Sequence, residues 1–203
     1  ARALASGAAV ELEPGAVLLA RDGAERPIAD SGAPVRDEEG NAVGTVIVFR
    51  DVSEKRQRQQ IATLEAGLLE AISTGLPLAA VLNKACLGLE AVLPGALASV
   101  LLVDRERGCL VHGSAPSLSA DYVRAIDGAR PGPSVGSCGT AVHRREAVIV
   151  ADIATDPLWQ AYAASALENG LRACWSVPVL DGAGDAVATF AVYHREPKHP
   201  SAE

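Results

Sequence analysis

Hydrophobic periodicity changes once along this chain, at Asp51-Val52-Ser53-Glu54, and that change divides it into two unlike parts. Before it, apolar residues alternate between turn signals. Ala16-Val17-Leu18-Leu19-Ala20 precedes the turn Asp22-Gly23, Arg26-Pro27-Ile28-Ala29-Asp30-Ser31 follows, and Glu39-Gly40-Asn41 leads into Val43-Gly44-Thr45-Val46-Ile47-Val48-Phe49. Short strands joined by glycine-containing turns predict an antiparallel meander with one apolar face, marginal by itself. At the change, Asp51 with Glu54 three residues later predicts a capping box and a helix start. Ile61, Leu64, Leu68 and Ile72 then recur at spacings of 3, 4 and 4. That narrow seam either lies on its own domain or pairs two identical subunits. Residues 53–75 thus read as a stiff connecting helix.

A second domain spans residues 60–197. Leu78–Leu93 is an apolar helix closed by Pro94-Gly95, and Ala98–Val103 with Leu110–Gly113 reads as a hairpin. Asp121–Ile126 predicts a short helix, Asp127–Gly136 a Gly/Pro-rich loop, Ala147–Val150 a strand and Pro157–Asn169 a helix. Ala173–Leu180 and Ala186–Tyr193 complete the strands, and residues 198–203 should fray as a disordered tail. Strands interleaved with unequal helices around an antiparallel sheet indicate an α+β domain.

Composition excludes several classes. With a net charge of −7 the chain lacks the clustered cations that phosphate binding requires, and Lys55-Arg56 with Arg58 reads as a solvated helix face, so no nucleic-acid partner is expected. The longest apolar stretch, Leu76–Val103, is broken by Asn83, Lys84, Glu90 and Pro94, and no segment should insert in a membrane. No signal peptide is evident, and four unevenly spaced cysteines do not form a disulfide framework, which points to a reducing cytoplasm. The absence of Met and the start at Ala1 suggest a piece of a longer polypeptide. Only 3% of residues are aromatic, so the core must be built from Ala, Val, Leu and Ile.

The most distinctive strings are Gly136-Ser137-Cys138-Gly139-Thr140-Ala141-Val142, Ala151-Asp152-Ile153-Ala154-Thr155-Asp156-Pro157-Leu158-Trp159 and Gly170-Leu171-Arg172-Ala173-Cys174-Trp175-Ser176-Val177-Pro178. With His112–Leu118 and Thr189-Phe190-Ala191-Val192-Tyr193, they resemble the GAF domain of bacterial sensor histidine kinases and diguanylate cyclases or phosphodiesterases, over residues 60–197. The approach at Ala129–Pro133 is more Pro-rich than that family usually shows. Upstream, Asp22-Gly23, Arg26-Pro27-Ile28, Gly40–Gly44 and Asp51–Glu54 are similar to the C-terminal half of a PAS domain, over residues 1–52. A half PAS sheet leaves an open edge, so residues 9–50 are expected to pair across a dimer or on the GAF domain. The resemblance implies a six-stranded antiparallel sheet with helices on one face and a ligand pocket on the other.

Glycines 136 and 139 would allow close backbone approach to that pocket, and Ser137 or Thr140 could cap a helix running from Thr140 to Arg144. Cys138 at such a helix start would have its thiolate favoured, or would be a small buried residue under the loop. Cys174, beside Trp175, could be core or could form a redox pair with Cys138; Cys86 and Cys109 read as incidental. Trp159, Tyr162, Trp175, Phe190 and Tyr193 gather most of the aromatic rings, lining a pocket or filling the core. Asp156-Pro157 reads as a helix cap, and Arg172 as the counter-charge for an anion or for Asp152.

The candidate ligand-binding set is therefore Ser137, Cys138, Thr140, Trp159, Tyr162, Arg172, Cys174, Trp175 and Phe190, with no catalytic residue and no metal ligand. No cofactor is required; haem held by His112 or a cysteine-held iron–sulfur cluster are the alternatives, and there is no C-x-x-C. The expected function is a non-enzymatic sensory fragment that dimerises through its connecting helices. It would read a small molecule or redox state and pass it to a histidine kinase or cyclic-di-GMP effector. The rival is a cysteine-dependent methionine sulfoxide reductase of GAF type, with Cys138 and Cys174 as its thiols.

Overall fold

In the computed structural model, which describes residues 10, 11, 16–21, 23 and 25–200, the chain divides after Ala62 into two units. The first holds β1 (Val10–Glu11), β2 (Val17–Leu19), β3 (Glu25–Arg36) and β4 (Ala42–Asp51). The segment expected as a short strand at Arg26–Ser31 is the start of the 12-residue β3, to which all three others pair antiparallel. Asp37 Oδ1 accepts the N–H groups of Glu39 and Asn41 at 3.1 and 2.8 Å and so folds the β3–β4 turn. Val46, Ile47, Val48 and Phe49 are each more than half exposed, so the expected single apolar face is not buried within this unit. Four consecutive apolar residues necessarily present apolar groups to both sides of a strand.

Helix α1 (Ser53–Ser73) begins differently from the expected capping box. Asp51 Oδ1 accepts the N–H of Ser53 at 2.8 Å, and these Ser53 contacts, aided by Arg26, hold its carboxyl below the usual range. Glu54 turns outward to Arg58 at 3.2 Å instead of reaching back. Within the second unit, α1 packs on α2 (Leu78–Val92). Lys84 Nζ donates to the Gly67 carbonyl at 2.7 Å, and a side chain on Gly88 would collide with Leu64. Leu64 is thus used inside the chain, while Ile61, Leu69 and Ile72 stay exposed.

Five strands form the second sheet, β5 (Ala96–Asp104), β6 (Cys109–Ser114), β7 (Val148–Val150), β8 (Ala173–Leu180) and β9 (Ala186–His194), in the order β6-β5-β9-β8-β7 with every neighbour antiparallel. The expectation of six strands is corrected. The position outside β6 is taken by one short contact, where Gly128 N–H donates to the Leu110 carbonyl and Leu110 N–H to the Ala129 carbonyl, both at 2.8 Å. Beyond it Pro131 and Pro133 supply no N–H and cannot continue a ladder, and Asp127 Oδ1 takes the next free donor, His112 N–H, at 2.7 Å.

Strand alternation sends Ala98, Val100 and Ala188 toward α2, where they enclose Cys86 with Leu82, Leu89 and Phe190. The opposite face, with Leu101, Ala191 and Tyr193, carries the larger core under α3 (Ala120–Ile126), α4 (Gly136–Arg144) and α5 (Ala163–Glu168). The predicted helix over 157–169 is interrupted. Asp156 Oδ1 caps a 3₁₀ turn, Pro157–Trp159, at 2.9 Å from the Leu158 nitrogen, and α5 starts afresh. The tail departs from expectation too, because Lys198 donates to the Ala151 carbonyl and accepts from Trp175 Nε1 at 3.1 Å; residues 201–203 lie outside the described residues. No described helix is long and apolar enough to cross a membrane.

Helix α4 begins at Gly136, four residues before the expected Thr140 start, because Gly136 adopts φ +56°, which few side-chain-bearing residues accept. A Cβ there would also touch the Trp159 ring at 3.5 Å, and one on Gly139 would stand 2.6 Å from Val135 Cγ1. At the other end Arg145 caps the helix in the left-handed region (φ +59°) and reaches Asp185 at 2.9 Å. Val135 is β-branched and stiff, so Gly139→Ala is expected to lose about 1 kcal/mol, overpacking of roughly 1–3 kcal/mol less a helix-propensity gain of about 1. Gly182→Ala, with nothing within 4 Å, should stay within about 0.5 kcal/mol of the parent in urea unfolding.

Candidate functional site

Because paired residues of antiparallel strands share a face, Cys174 and Ser176 on β8 lie beside Tyr193 and Ala191 on β9, all turned toward α4. The first turn of α4 is fastened to this face by Ser137. Its Oγ donates to the Cys174 carbonyl at 3.0 Å and accepts from Trp159 Nε1 at 3.1 Å, so one hydroxyl joins helix, strand and 3₁₀ turn. The neighbouring Cys138 Sγ then accepts a hydrogen bond from Ser176 Oγ at 3.3 Å and lies 3.7 Å from Tyr193 Oη. Ser176 Oγ is itself 2.9 Å from Thr189 Oγ1. All four cysteines are free and buried.

Cys138 and Cys174 are neighbours, because Ser137 holds the Cys174 carbonyl and Tyr193, the cross-strand partner of Cys174, stands beside Cys138 Sγ, and each thiol affects the other's ionisation. The Cys174 thiol, followed by the hydroxyls of Ser176 and Tyr193 and the backbone N–H of Cys138, holds the Cys138 thiol down to about 7 against the opposing effect of burial. Burial, and then the Cys138 neighbour, pushes Cys174 well above the ordinary thiol value. Cys138 collects donors in the first turn of a helix, where the free N–H groups favour negative charge.

Beside Cys138 is a cavity of about 30 Å³, roughly room for one water, between α3, α4, the 3₁₀ turn and the sheet. Its open mouth brings the total space to about 370 Å³. Tyr122, Tyr162, Trp159 and Tyr193 form its aromatic wall, and the described residues lining it include no Asp, Glu, Lys, Arg or His, Cys138 being its one thiol. The Tyr122 and Tyr193 rings meet edge to face at 5.8 Å and 87°. Tyr122 is 1% exposed, yet its Oη, beside Tyr193, meets no partner at hydrogen-bonding geometry. A buried hydroxyl without a partner costs roughly 1–3 kcal/mol, so an acceptor brought beside it would be favoured.

Of the residues singled out in the sequence, Ser137, Cys138, Trp159 and Tyr162 line the cavity, and Cys174 stands directly behind Cys138. Thr140 is buried in α4, its Oγ1 accepting the Val135 N–H at 3.1 Å. Arg172 pairs with Asp152 at 3.3 Å, away from the cavity. Trp175 and Phe190 occupy the opposite sheet face, Trp175 against the His194 ring at 4.5 Å and Phe190 in the core under α2, since each follows or precedes a cavity-side residue in its strand. Tyr122 and Ser176 were missed. Ser176 is legible by alternation from Cys174, and Tyr122 as the one aromatic on the short helix Ala120–Ile126.

Neither cofactor alternative fits. His112 is exposed and does not line the cavity, and the four cysteines do not converge, Cys86 lying across the sheet from Cys138. Among the described residues no three His, Cys, Asp or Glu side chains form a metal-holding group.

The low folded value of Cys138 has a thermodynamic consequence. Between pH about 7 and 9 the unfolded thiol still holds its proton while the folded one has lost it, so stability rises with pH across that window, by of order 2 kcal/mol. It is lost as pH falls through 7. Cys174 and Cys86, both raised above 9, act only above the window. Urea midpoints from pH 6.5 to 8.5 should climb in the parent and stay nearly flat in Cys138→Ala.

The GAF-domain family matches residues 75–203. A curated relative, the methyl sulfide methyltransferase-associated sensor of Methanosarcina acetivorans, is 30% identical over 186 residues, which is 92% of this chain but only 19% of that protein. Among solved structures, the GAF domain of a phosphoenolpyruvate-protein phosphotransferase from Coxiella burnetii is similar at a TM-score of 0.57 and 18% identity, over 70% of this chain and 82% of that one. The free methionine-R-sulfoxide reductase of Neisseria meningitidis is similar at 0.55 and 18%, over 73% and 78%. At such identity the structural likenesses speak for the fold alone, while the family match covers more than half of the sequence: this chain belongs to the GAF domain family.

Proposed function

We propose that this chain is the sensory part of a signalling protein and that its GAF cavity takes a small, neutral, mainly apolar molecule carrying one hydrogen-bond acceptor. The observation that carries this reading is the buried, unpartnered Tyr122 hydroxyl on the wall of an uncharged aromatic cavity. Ser137, Cys138, Trp159 and Tyr162 would contact the ligand, and Cys174 would respond through Cys138. The relative named as a sensor supports a sensory role. A reductase acting on a free amino-acid sulfoxide is less well supported, because the carboxylate of a zwitterion needs a cation that this lining lacks.

In the same proposal residues 1–52 are the C-terminal part of a PAS domain, and α1 conveys the signal in a cytoplasmic homodimer to a histidine kinase or cyclic-di-GMP enzyme. The exposed residues Ile61, Leu69 and Ile72 on one side of α1 would form the dimer contact. Native mass spectrometry should then find dimers that Leu69→Glu with Ile72→Glu converts to monomers; a monomeric parent removes the dimer.

Cyclopentanone and cyclopentane, each larger than the enclosed 30 Å³ and so seated partly in the open mouth, differ by one carbonyl acceptor and test the site. Trp159 fluorescence should report tighter binding of the ketone, and Tyr122→Phe should lose that preference by roughly ten-fold. Equal binding of the two, or binding of neither, sinks the ligand reading.

A further inference from the structure

We propose that Cys138 and Cys174 form a peroxide-reactive dithiol, in which Cys138 is oxidised by a small neutral hydroperoxide and Cys174 then closes a reversible Cys138–Cys174 disulfide. This goes beyond the ligand reading and stands on the thiol geometry alone. The two residues are neighbours, Ser137 beside Cys138 holding the Cys174 carbonyl at 3.0 Å and Tyr193, the cross-strand partner of Cys174, lying 3.7 Å from Cys138 Sγ, but only Cys138 lines the cavity; Cys174 is fully buried behind it. The sulfur reached first by a diffusing oxidant is therefore Cys138, with the second sulfur waiting behind it.

The surroundings favour the same order. Cys138 sits in the first turn of a nine-residue helix and receives the Ser176 hydroxyl at 3.3 Å, with Tyr193 Oη at 3.7 Å. Ser137 fixes the register by holding the Cys174 carbonyl at 3.0 Å, so α4 cannot slide away from β8 while the bond forms. The enclosed volume, about 30 Å³, and the uncharged lining also select the oxidant: hydrogen peroxide is small and uncharged, whereas a disulfide tripeptide is neither.

Chemically, the Cys138 thiolate attacks one oxygen of hydrogen peroxide. The O–O bond breaks, an S–O bond forms, and the departing hydroxide takes up a proton to leave as water. Sulfur has lost two electrons and the peroxide has gained them. Cys174 then attacks the Cys138 sulfur; the S–S bond forms as the S–O bond breaks, and hydroxide leaves as a second water with the Cys174 proton. The Ser176 and Tyr193 hydroxyls lose an anionic acceptor in the process, so oxidation rewrites the polar wall of the cavity.

The test is peroxide treatment of the purified chain, followed by alkylation and peptide mass analysis. The expected product has lost the mass of two hydrogens, links the Cys138 and Cys174 peptides, and reverts with a thiol reductant. Cys174→Ser should instead accumulate a sulfenic acid at Cys138, trapped by dimedone, and Cys86→Ser with Cys109→Ser should leave the cross-link intact. Oxidised glutathione should act more slowly than peroxide. Three outcomes overturn the proposal: no cross-link in a chain whose circular dichroism shows it folded, a cross-link to Cys86 or Cys109, or a sulfenic acid at Cys174 in Cys138→Ser at the parent rate. Ketone binding without a cross-link defeats this proposal and spares the ligand reading, and a cross-link without ketone binding does the reverse.

Discussion

The Ser137 hydroxyl is the fastening on which the site depends. It touches α4, β8 and the Trp159 indole together, where Gly136 turns the chain through a positive φ beneath that indole. With this contact made, Cys138 is delivered to Ser176 and Tyr193, and the aromatic wall closes around the remaining space. The site is a consequence of docking a helix end on a sheet, not of any residue's reactivity taken alone.

What surrounds Cys138 is a polar knot without formal charge. Hydroxyls and thiols, each with one proton to give, decide among themselves where a negative charge can rest, and the answer is one sulfur and not its neighbour. Thiols are commonly activated by a cation or a metal. Here the Cys174 thiol, the Ser176 and Tyr193 hydroxyls and a backbone N–H supply the activation by hydrogen bonding, and no cation lines the cavity among the described residues.

Much of this fold is legible in the sequence, and the limits are instructive. The strands at 173–180 and 186–194 follow from continuous apolar runs beside a glycine turn, and the helix over Leu78–Val92 from its length and its Pro-Gly stop. The start of α4 is not legible, because glycine propensity argues against a helix where a positive-φ first residue and the overlying indole create one. Alternation could separate Cys174 from Trp175 but could not say which faced the cavity. That depends on where α4 lies, which is a long-range fact. The Pro-rich approach at Ala129–Pro133, the one departure from the family pattern visible in the sequence, lies just past the short contact that ends the sheet outside β6.

That departure also bears on assembly. An outer strand offering a row of open donors and acceptors invites another chain to add on edge to edge. On β6 the Leu110 N–H and carbonyl are already bonded to Ala129 and Gly128, and the His112 N–H is capped by a carboxylate that would repel an incoming carbonyl. At the far side β7 offers only three residues. The sheet is thereby partly guarded against growth at its β6 margin, where an arriving strand would meet groups already bonded to the following loop.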